Sequence, residues 1–502
     1  MRARKSPIGF MFLLGWLLSG AAAAQLSCEQ VQFEDFSTVL DAPTHLTDVA
    51  LVGDAALGSY CRLRGYVARQ VGFELRVPTE SWNQRLLFQG CGGFCGSLRQ
   101  IEDCDDALQR GYACVTTDLG HKSTPIDAKW AYNNRAAEID FYYRATHVTT
   151  LAAKAIVGRM MAKAPKRSYI RGCSTGGRQG LISAQRFPED FDGVIAAAPA
   201  GVSPGGGLHL IWSALANQSA NGAPILSEQD VLVWHQNVLK VCDGLDGVRD
   251  GIIADPQVCD PKPDDFACSA TNQTDCFSNQ KISVIKKIYS GAQNGDGKPI
   301  YRAVPMPGSE PQWVPSYVRD QGPPIYYLFG GDFFRYLAYD QDPGPHWRPE
   351  DFDMARDLPR LKSMRILNNA ANPDLTAFAN RGGKIILYQG WSDESVPPLG
   401  IVEYLELAAR TMGGDEKLSE IMKLYMLPGV AHCRGGVGPD NLDALTHLEE
   451  WVELGKAPQD IVVTKLKSSS AAYASYPLSR DSIALQWSIA PYPGGGAPRD
   501  VR

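Results

Sequence analysis

The chain has 502 residues, a net charge of −6 and twelve cysteines. No Lys/Arg block stands out beyond the first five residues, which argues against nucleic-acid or membrane-surface binding. No later segment reaches the ~20 apolar residues of a transmembrane helix, and the length leaves room for roughly three domain-sized units.

The N-terminal stretch, MRARKSPIGFMFLLGWLLSGAAAA (1–24), joins Arg2, Arg4 and Lys5 to an apolar run over 8–18 and small residues before Gln25. This predicts a secretory signal peptide, and the run is short for a retained anchor. The expected product is a secreted or periplasmic protein, soluble and free of membrane contact. The even number of cysteines beyond the signal then predicts disulfides rather than metal thiolates. Cys91 and Cys95 are spaced to close a small loop. The pairing of Cys28, Cys61, Cys91, Cys95, Cys104 and Cys114 is open at this level, as is the oligomeric state.

Strand-like runs come next at RLLFQG (85–90) and YACVTTD (112–118), then an amphipathic pattern over 137–163. Ile139, Tyr142, Tyr143, Leu151, Ala155 and Val157 fall on one broad face of a predicted helix. Further strands are predicted at SYIRG (168–172), GVIAAAP (193–199), KIILYQG (384–390) and IMKLYMLPG (421–429). A last helix is predicted over 440–454, capped by Asp440. Strands alternating with helices predict an α/β fold with a largely parallel sheet. Between 201 and 373 the alternation fades, Pro, Gly, Asp and aromatic residues increase, and a separate inserted unit is predicted.

Between the strand SYIRG and the helical RQGLISAQRF lies Gly172-Cys173-Ser174-Thr175-Gly176-Gly177. G-x-S-x-G in a strand–turn–helix context is a nucleophile elbow. Ser174 would expose its hydroxyl, and the Thr175 N–H would face an oxyanion hole. A serine needs a base, and the base needs an orienting acid. His432 comes after a strand-like run and a loop, where such a base belongs. His447 lies inside the last helix, and His209, His235 and His346 fall in or beside the insertion. Asp393 comes after the strand KIILYQG in a loop stiffened by Pro397 and Pro398, with Glu394 as the neighbouring alternative. Cys173 precedes Ser174 and Cys433 succeeds His432. If the serine and histidine touch, the two cysteines lie near enough to bond. A Cys173–Cys433 bridge is predicted.

These paired motifs, Cys173-Ser174, Asp393 and His432-Cys433, resemble the tannase/feruloyl esterase family with its CS–D–HC site. The resemblance extends through FQGCGGFCGSL (88–98), VTTDLGH (115–121), DFYYRATHVTTLAAKAIV (140–157), GCSTGGRQGL (172–181), FPEDFDGVIAAAPA (187–200), YQGWSDESVPP (388–398) and PGVAHCRGG (428–436). It implies an α/β-hydrolase fold, with a catalytic domain over 25–200 and 374–502 and a lid domain over 201–373. It implies a serine esterase acting on small aromatic esters, and a second oxyanion donor at Gly92 or Gly93. The stretch CDGLDGVRDGIIADPQVC (242–259), with carboxylates among glycines, looks like a calcium loop. The resemblance implies structural Ca2+ held by Asp243, Asp246 and Asp250 side chains and the Val248 and Ile252 carbonyls, and no organic cofactor. Cys242 with Cys259, and Cys268 with Cys276, would close short loops around it. Aromatic residues from Trp313 to Trp347 would form the lid core or stack on an acyl group, while Arg302, Arg319 and Arg335 are expected mainly at the surface. Two alternatives accompany this reading. One is a mono(2-hydroxyethyl) terephthalate hydrolase, disfavoured by Thr175 where that type is expected to carry an acidic residue. The other is a non-catalytic, calcium-stabilised binding protein, disfavoured by the intact Ser–Asp–His set.

Overall fold

The computed structural model describes residues 24–202, 207–269, 273–294, 296–468, 473–494 and 498–501. The predicted signal peptide lies almost entirely outside them. Nine strands form the main sheet: β1 (Thr44–Asp54), β2 (Gly58–Val67), β3 (Val71–Pro78), β4 (Arg85–Gln89), β5 (Ala113–Thr117), β6 (Arg167–Cys173), β7 (Gly193–Ala197), β8 (Lys384–Gly390) and β9 (Met422–Leu427). Their order is β1-β2-β3-β5-β4-β6-β7-β8-β9. The first four in space pair antiparallel, and from β5 onward every pairing is parallel. The six strands read from the sequence are all present. β1 to β3 were not anticipated, because their polar residues dilute any apolar run.

Both faces of the parallel part are covered. Side chains alternate across a strand, so Ile170, Val194, Ala196, Ile385 and Leu387 enter one apolar cluster. Their neighbours Tyr169, Ile195, Ala197, Ile386 and Tyr388 enter another on the opposite face. A small antiparallel sheet, β10 (Asn441–Leu442), β11 (Ile461–Leu466), β12 (Ile483–Ile489) and β13 (Arg499–Asp500), supports that second face.

Two predicted helices need correction. The stretch expected as one helix over 137–163 is helical at Arg135–Ile139 and Ala145–Met160, with a π turn at Asp140–Arg144 between them. The extra residue of a π turn rotates the helix face beyond it. Of the six residues expected to be buried, Tyr142 and Val157 are, whereas the buried face also takes in Thr146, Thr149, Ala153 and Ile156. The last helix spans Ala444–Leu454 and is capped by Asp443, which accepts from Thr446 N at 3.1 Å. Asp440 instead accepts from Gly435 N at 2.7 Å in the loop after His432.

The longest strand-to-strand connection in the parallel part runs from β7 to β8. Its regular elements, among the described residues, are helical and include Leu208–Ala216, Glu228–Cys242, Asn279–Ser290 and Ile325–Tyr336. They build apolar clusters of their own around Trp234, Trp313 and Tyr317 and around Phe334 and Tyr339. Residues of this segment line a cavity together with Ser174 and His432, beyond the C-terminal ends of β6 and β9, where ligand sites of open α/β sheets lie.

Candidate active site

β6 ends at Cys173 and the helix Thr175–Arg186 begins two residues later. Ser174 between them has φ 59° and ψ −118°, a conformation that costs a non-glycine residue about 1–3 kcal/mol. Hydrogen bonds hold it there: Ser174 N donates to Ala197 O at 3.0 Å, and Ala200 N donates to Ser174 O at 3.1 Å. The flanking glycines are demanded by close approach. A Cβ on Gly172 would stand 2.7 Å from the Gly176 backbone, and one on Gly177 2.5 Å from Ala197 O. The tight turn thus lifts the serine off the end of the sheet.

β8 and β9 supply the other two groups. Asp393 is fully buried, and its oxygens accept four hydrogen bonds: Ser395 N at 2.9 Å, Val396 N at 2.7 Å, Gln389 Nε2 at 2.8 Å and His432 Nδ1 at 2.8 Å. An ionised carboxylate has room for this many donors. Because a carboxylate only accepts, Nδ1 of His432 carries the hydrogen and Nε2 keeps its lone pair. Burial alone would lower the His432 pKa, but the charge and hydrogen bond of Asp393, with Glu394 beyond, outweigh it and the net direction is up. Glu394 points elsewhere, accepting from Ser316 Oγ at 3.0 Å and Tyr326 OH at 3.1 Å. Burial, and then the Asp393 charge, push its carboxyl up to about 7.

Ser174 and His432 line one cavity. The Cys173–Cys433 disulfide joins their neighbours with Cα atoms 5.8 Å apart. The two side chains share this cavity without a direct hydrogen bond between them. The bridge links residues 260 apart in sequence.

The glycine-rich loop after β4 packs on the elbow helix. Thr175 Oγ1 donates to Gly93 O at 2.7 Å, and Gln179 Oε1 accepts from Cys91 N at 3.1 Å. Phe94 N donates to Pro125 O and Cys95 N to Gly92 O. Among the described residues this leaves the N–H groups of Gly92 and Gly93 without protein partners, and Gly93 and Thr175 both line the cavity. A Cys91–Cys95 disulfide closes the loop, and His121, stacked on Trp130, bonds Phe94 O at 2.8 Å through Nε2.

The cavity measures about 520 Å³. The β7–β8 segment contributes Tyr326, Phe329 and Phe333 to its walls, while Tyr317, Phe334 and Tyr339 pack inside that segment and Tyr336 joins the main core, edge-on to Tyr132. Phe329 stacks on Phe94 of the glycine-rich loop, centroids 4.2 Å apart. Arg302, Arg319 and Arg335 do not line the cavity; Arg302 faces Glu403 and Glu406, and Arg335 pairs with Asp332. Three residues at the site were given no role by the sequence. Arg178, one turn beyond Thr175, is buried under the rings of Phe141 and Tyr142. Gln389 orients Asp393, and His209 bonds the loop after it. None lies in a motif whose chemistry names it.

Remaining disulfides are Cys28–Cys61, Cys104–Cys114, Cys242–Cys259 and Cys268–Cys276, the last two as expected. No helix among the described residues is long and apolar enough to cross a membrane. In the loop closed by Cys242–Cys259, Asp243, Asp246 and Asp250 each accept one backbone N–H, from Gly251, Val248 and Ile252. Burial and the nearby Asp246 and Asp243 raise the Asp250 pKa. Three neighbouring carboxylates with oxygens to spare suit a hard cation in chemistry. They do not converge here: among the described residues no three His, Cys, Asp or Glu side chains come together closely enough to hold a metal ion.

The family model for tannase and feruloyl esterase matches residues 55–328 and 346–493. An uncharacterised esterase of Xanthomonas campestris pv. campestris is 31% identical over 91% of this chain and 87% of its own. A mono(2-hydroxyethyl) terephthalate hydrolase of Piscinibacter sakaiensis is 29% identical over 88% and 85%. Among solved structures, feruloyl esterase B from Aspergillus oryzae superposes with a TM-score of 0.78 at 25% identity, covering 90% of this chain and 93% of that one. Tannin acyl hydrolase from Aspergillus niger shares the fold, with a TM-score of 0.73 over 95% and 96%. With this match across most of its length, the chain belongs to the tannase and feruloyl esterase family and is a carboxylic ester hydrolase.

Proposed function

We propose that the protein is exported and cleaves esters of aromatic acids through an acyl-enzyme on Ser174. The observation that carries this reading is the gathering, beyond the ends of β6, β8 and β9, of a strained serine, a neutral-tautomer histidine and a fully hydrogen-bonded buried aspartate. Ser174 Oγ attacks the ester carbonyl carbon while its proton passes to His432 Nε2. The N–H groups of Thr175 and Gly93, with Gly92 behind, face the oxygen as it gains charge; one such donor is worth ~10²–10³ in rate. The ester C–O bond then breaks and the alcohol leaves with the proton from His432. Water gives a proton to His432, its oxygen attacks the acyl carbon, and the acid departs as the proton returns to Ser174. Asp393 fixes the tautomer and stabilises the imidazolium.

An aromatic acyl group suits walls made of Phe94, Phe329, Phe333 and Tyr326, since ring faces and edges pack favourably. The β7–β8 segment would act as the lid. Calcium, if drawn in by Asp243, Asp246 and Asp250 with the Val248 and Ile252 carbonyls, would relieve their mutual repulsion and stake down the loop; it would take no part in the chemistry. A shift in Tm between EDTA and Ca2+ that disappears in Asp243→Asn tests this apart from activity. Export would suit the six disulfides.

The deciding experiment is a panel of methyl ferulate, methyl gallate and mono(2-hydroxyethyl) terephthalate with wild type and Ser174→Ala. Turnover lost in the variant, and a trapped acyl-Ser174 by mass spectrometry, is the expected result. Equal activity in both proteins would remove the serine mechanism.

A further inference from the structure

His209 lines the cavity beside Ser174 and His432 but has no task in the steps above. It stands in the first turn of the helix Leu208–Ala216, in the segment between β7 and β8. Its Nε2 lies 2.7 Å from the carbonyl oxygen of Ser395. A carbonyl can only accept, so Nε2 carries the hydrogen. Burial lowers its pKa to about 4, against the upward pull of the Ser395 carbonyl and Asp393, so the ring is neutral in ordinary buffers. A neutral imidazole protonated at Nε2 keeps a lone pair on Nδ1. Among the described residues that nitrogen has no hydrogen-bond partner.

The position of this acceptor tells which half of the ester it meets. The departing alcohol takes its proton from His432, so its oxygen must lie against His432. His209 is on that flank: Ser395 lies two residues beyond Asp393, and the His432 charge is close enough to depress the His209 pKa further. Much of the surrounding wall is apolar, with Leu210, Ile325, Phe329 and Val396. A lone acceptor in such a wall is left unpaired by an alkyl group and paired by a hydroxyl, and a site of this kind discriminates through the cost of leaving its buried group unpaired.

We propose that His209 Nδ1 accepts a hydrogen bond from a hydroxyl on the alcohol half of the ester, making the favoured alcohol a polyol, a sugar or a diol, rather than a simple alkyl alcohol. This rests on the serine-esterase reading above. His209 is then a specificity residue contributed by the inserted segment to a reaction performed by the sheet.

The test compares kcat/KM for the 2-hydroxyethyl and n-propyl esters of whichever aromatic acid the panel ranks first. These alcohols match in length and differ by a terminal hydroxyl against a methyl. Wild type is expected to favour the hydroxyethyl ester by roughly tenfold, the worth of one net hydrogen bond. His209→Phe should erase the preference by slowing the hydroxyethyl ester alone. His209→Gln, whose amide can give to Ser395 O and still accept, should keep part of it. No preference in wild type, or an equal fall on both esters in His209→Phe with the preference intact, overturns the proposal. Turnover of either ester that survives intact in Ser174→Ala overturns the serine-esterase reading itself, and this assignment with it.

Discussion

The two walls of the cavity are built on different physical terms. On the sheet side, position is dictated by backbone: the Ser174 turn at positive φ, glycines whose Cβ would collide with neighbouring backbone, and a disulfide tying the serine loop to the histidine loop. On the side of the β7–β8 segment, position is dictated by side chains. Phe329 stacks on Phe94, Tyr317 and Tyr326 donate to Glu394, and His209 reaches Ser395. A backbone arrangement tolerates almost no exchange of residues, whereas a side-chain contact can be replaced one position at a time. The groups proposed for the chemistry therefore sit on the wall that resists change, and those proposed for selecting the substrate on the wall that permits it.

Breaking the rigid wall should cost most. Asp393→Asn leaves the shape intact but favours the wrong His432 tautomer, and a fall of about 10⁴ in kcat is expected. The same variant should move the acid limb of kcat/KM. His432 must be neutral to act, and its pKa is raised above the ordinary 6.5, so activity in wild type rises with pH through a midpoint above that value. Removing the aspartate charge should bring the midpoint down; a limb that stays put would argue that another group titrates.

Next in size is the disulfide. Replacing Cys173 and Cys433 together by Ala releases a loop of 260 residues. Chain-entropy estimates for loops of this size are about 5 kcal/mol. A urea titration should show most of this loss, together with reduced kcat; an unchanged midpoint would mean that the glycine contacts alone hold the elbow.

The side-chain wall should respond differently. Phe329→Ala removes the ring stacked on Phe94, and KM for an aromatic ester is expected to rise about tenfold with kcat little changed, the pattern of lost uniform binding. Equal falls in kcat would show that this ring also positions the glycine-rich loop, and would blur the contrast between the walls.

The last effect, on stability and its pH dependence, is expected from Glu394→Gln. In the folded protein this carboxyl stays protonated up to about 7, against an ordinary 4.5. Between those values the unfolded chain ionises while the folded one resists, so wild type loses stability relative to the glutamine variant as pH rises through that window. A difference of roughly 3 kcal/mol, constant above the window, is expected from denaturation at several pH values. Parallel curves from pH 4 to 8 would show that the Glu394 carboxyl titrates alike in the folded and unfolded chain.

Much of the catalytic side was legible in the sequence because its constraints are local. A turn that must be tight needs glycines at fixed offsets from Ser174, and cysteines adjacent to the serine and the histidine announce each other across 260 residues. The choice between Asp393 and Glu394 was not local. It depends on which carboxylate faces His432 and which faces Ser316 and Tyr326, and adjacent residues leave a loop in different directions. The helix over 137–163 was legible in existence and not in facing, since one π turn rotates every residue beyond it. Gln389 and His209 carried no signal, because their partners lie in segments that only folding brings near.

The six strands of the parallel part, the elbow, the Cys173–Cys433 pair and the family were thus determined by the sequence itself: each depends on spacing along one chain segment or on residue types that pair chemically. Which aromatic rings reach the cavity, which carboxyl orients the histidine, and what a buried imidazole from the inserted segment can accept were decided by tertiary structure. Those properties depend on direction and on exclusion of water, and neither exists until the β7–β8 segment and the strand-end loops line one cavity.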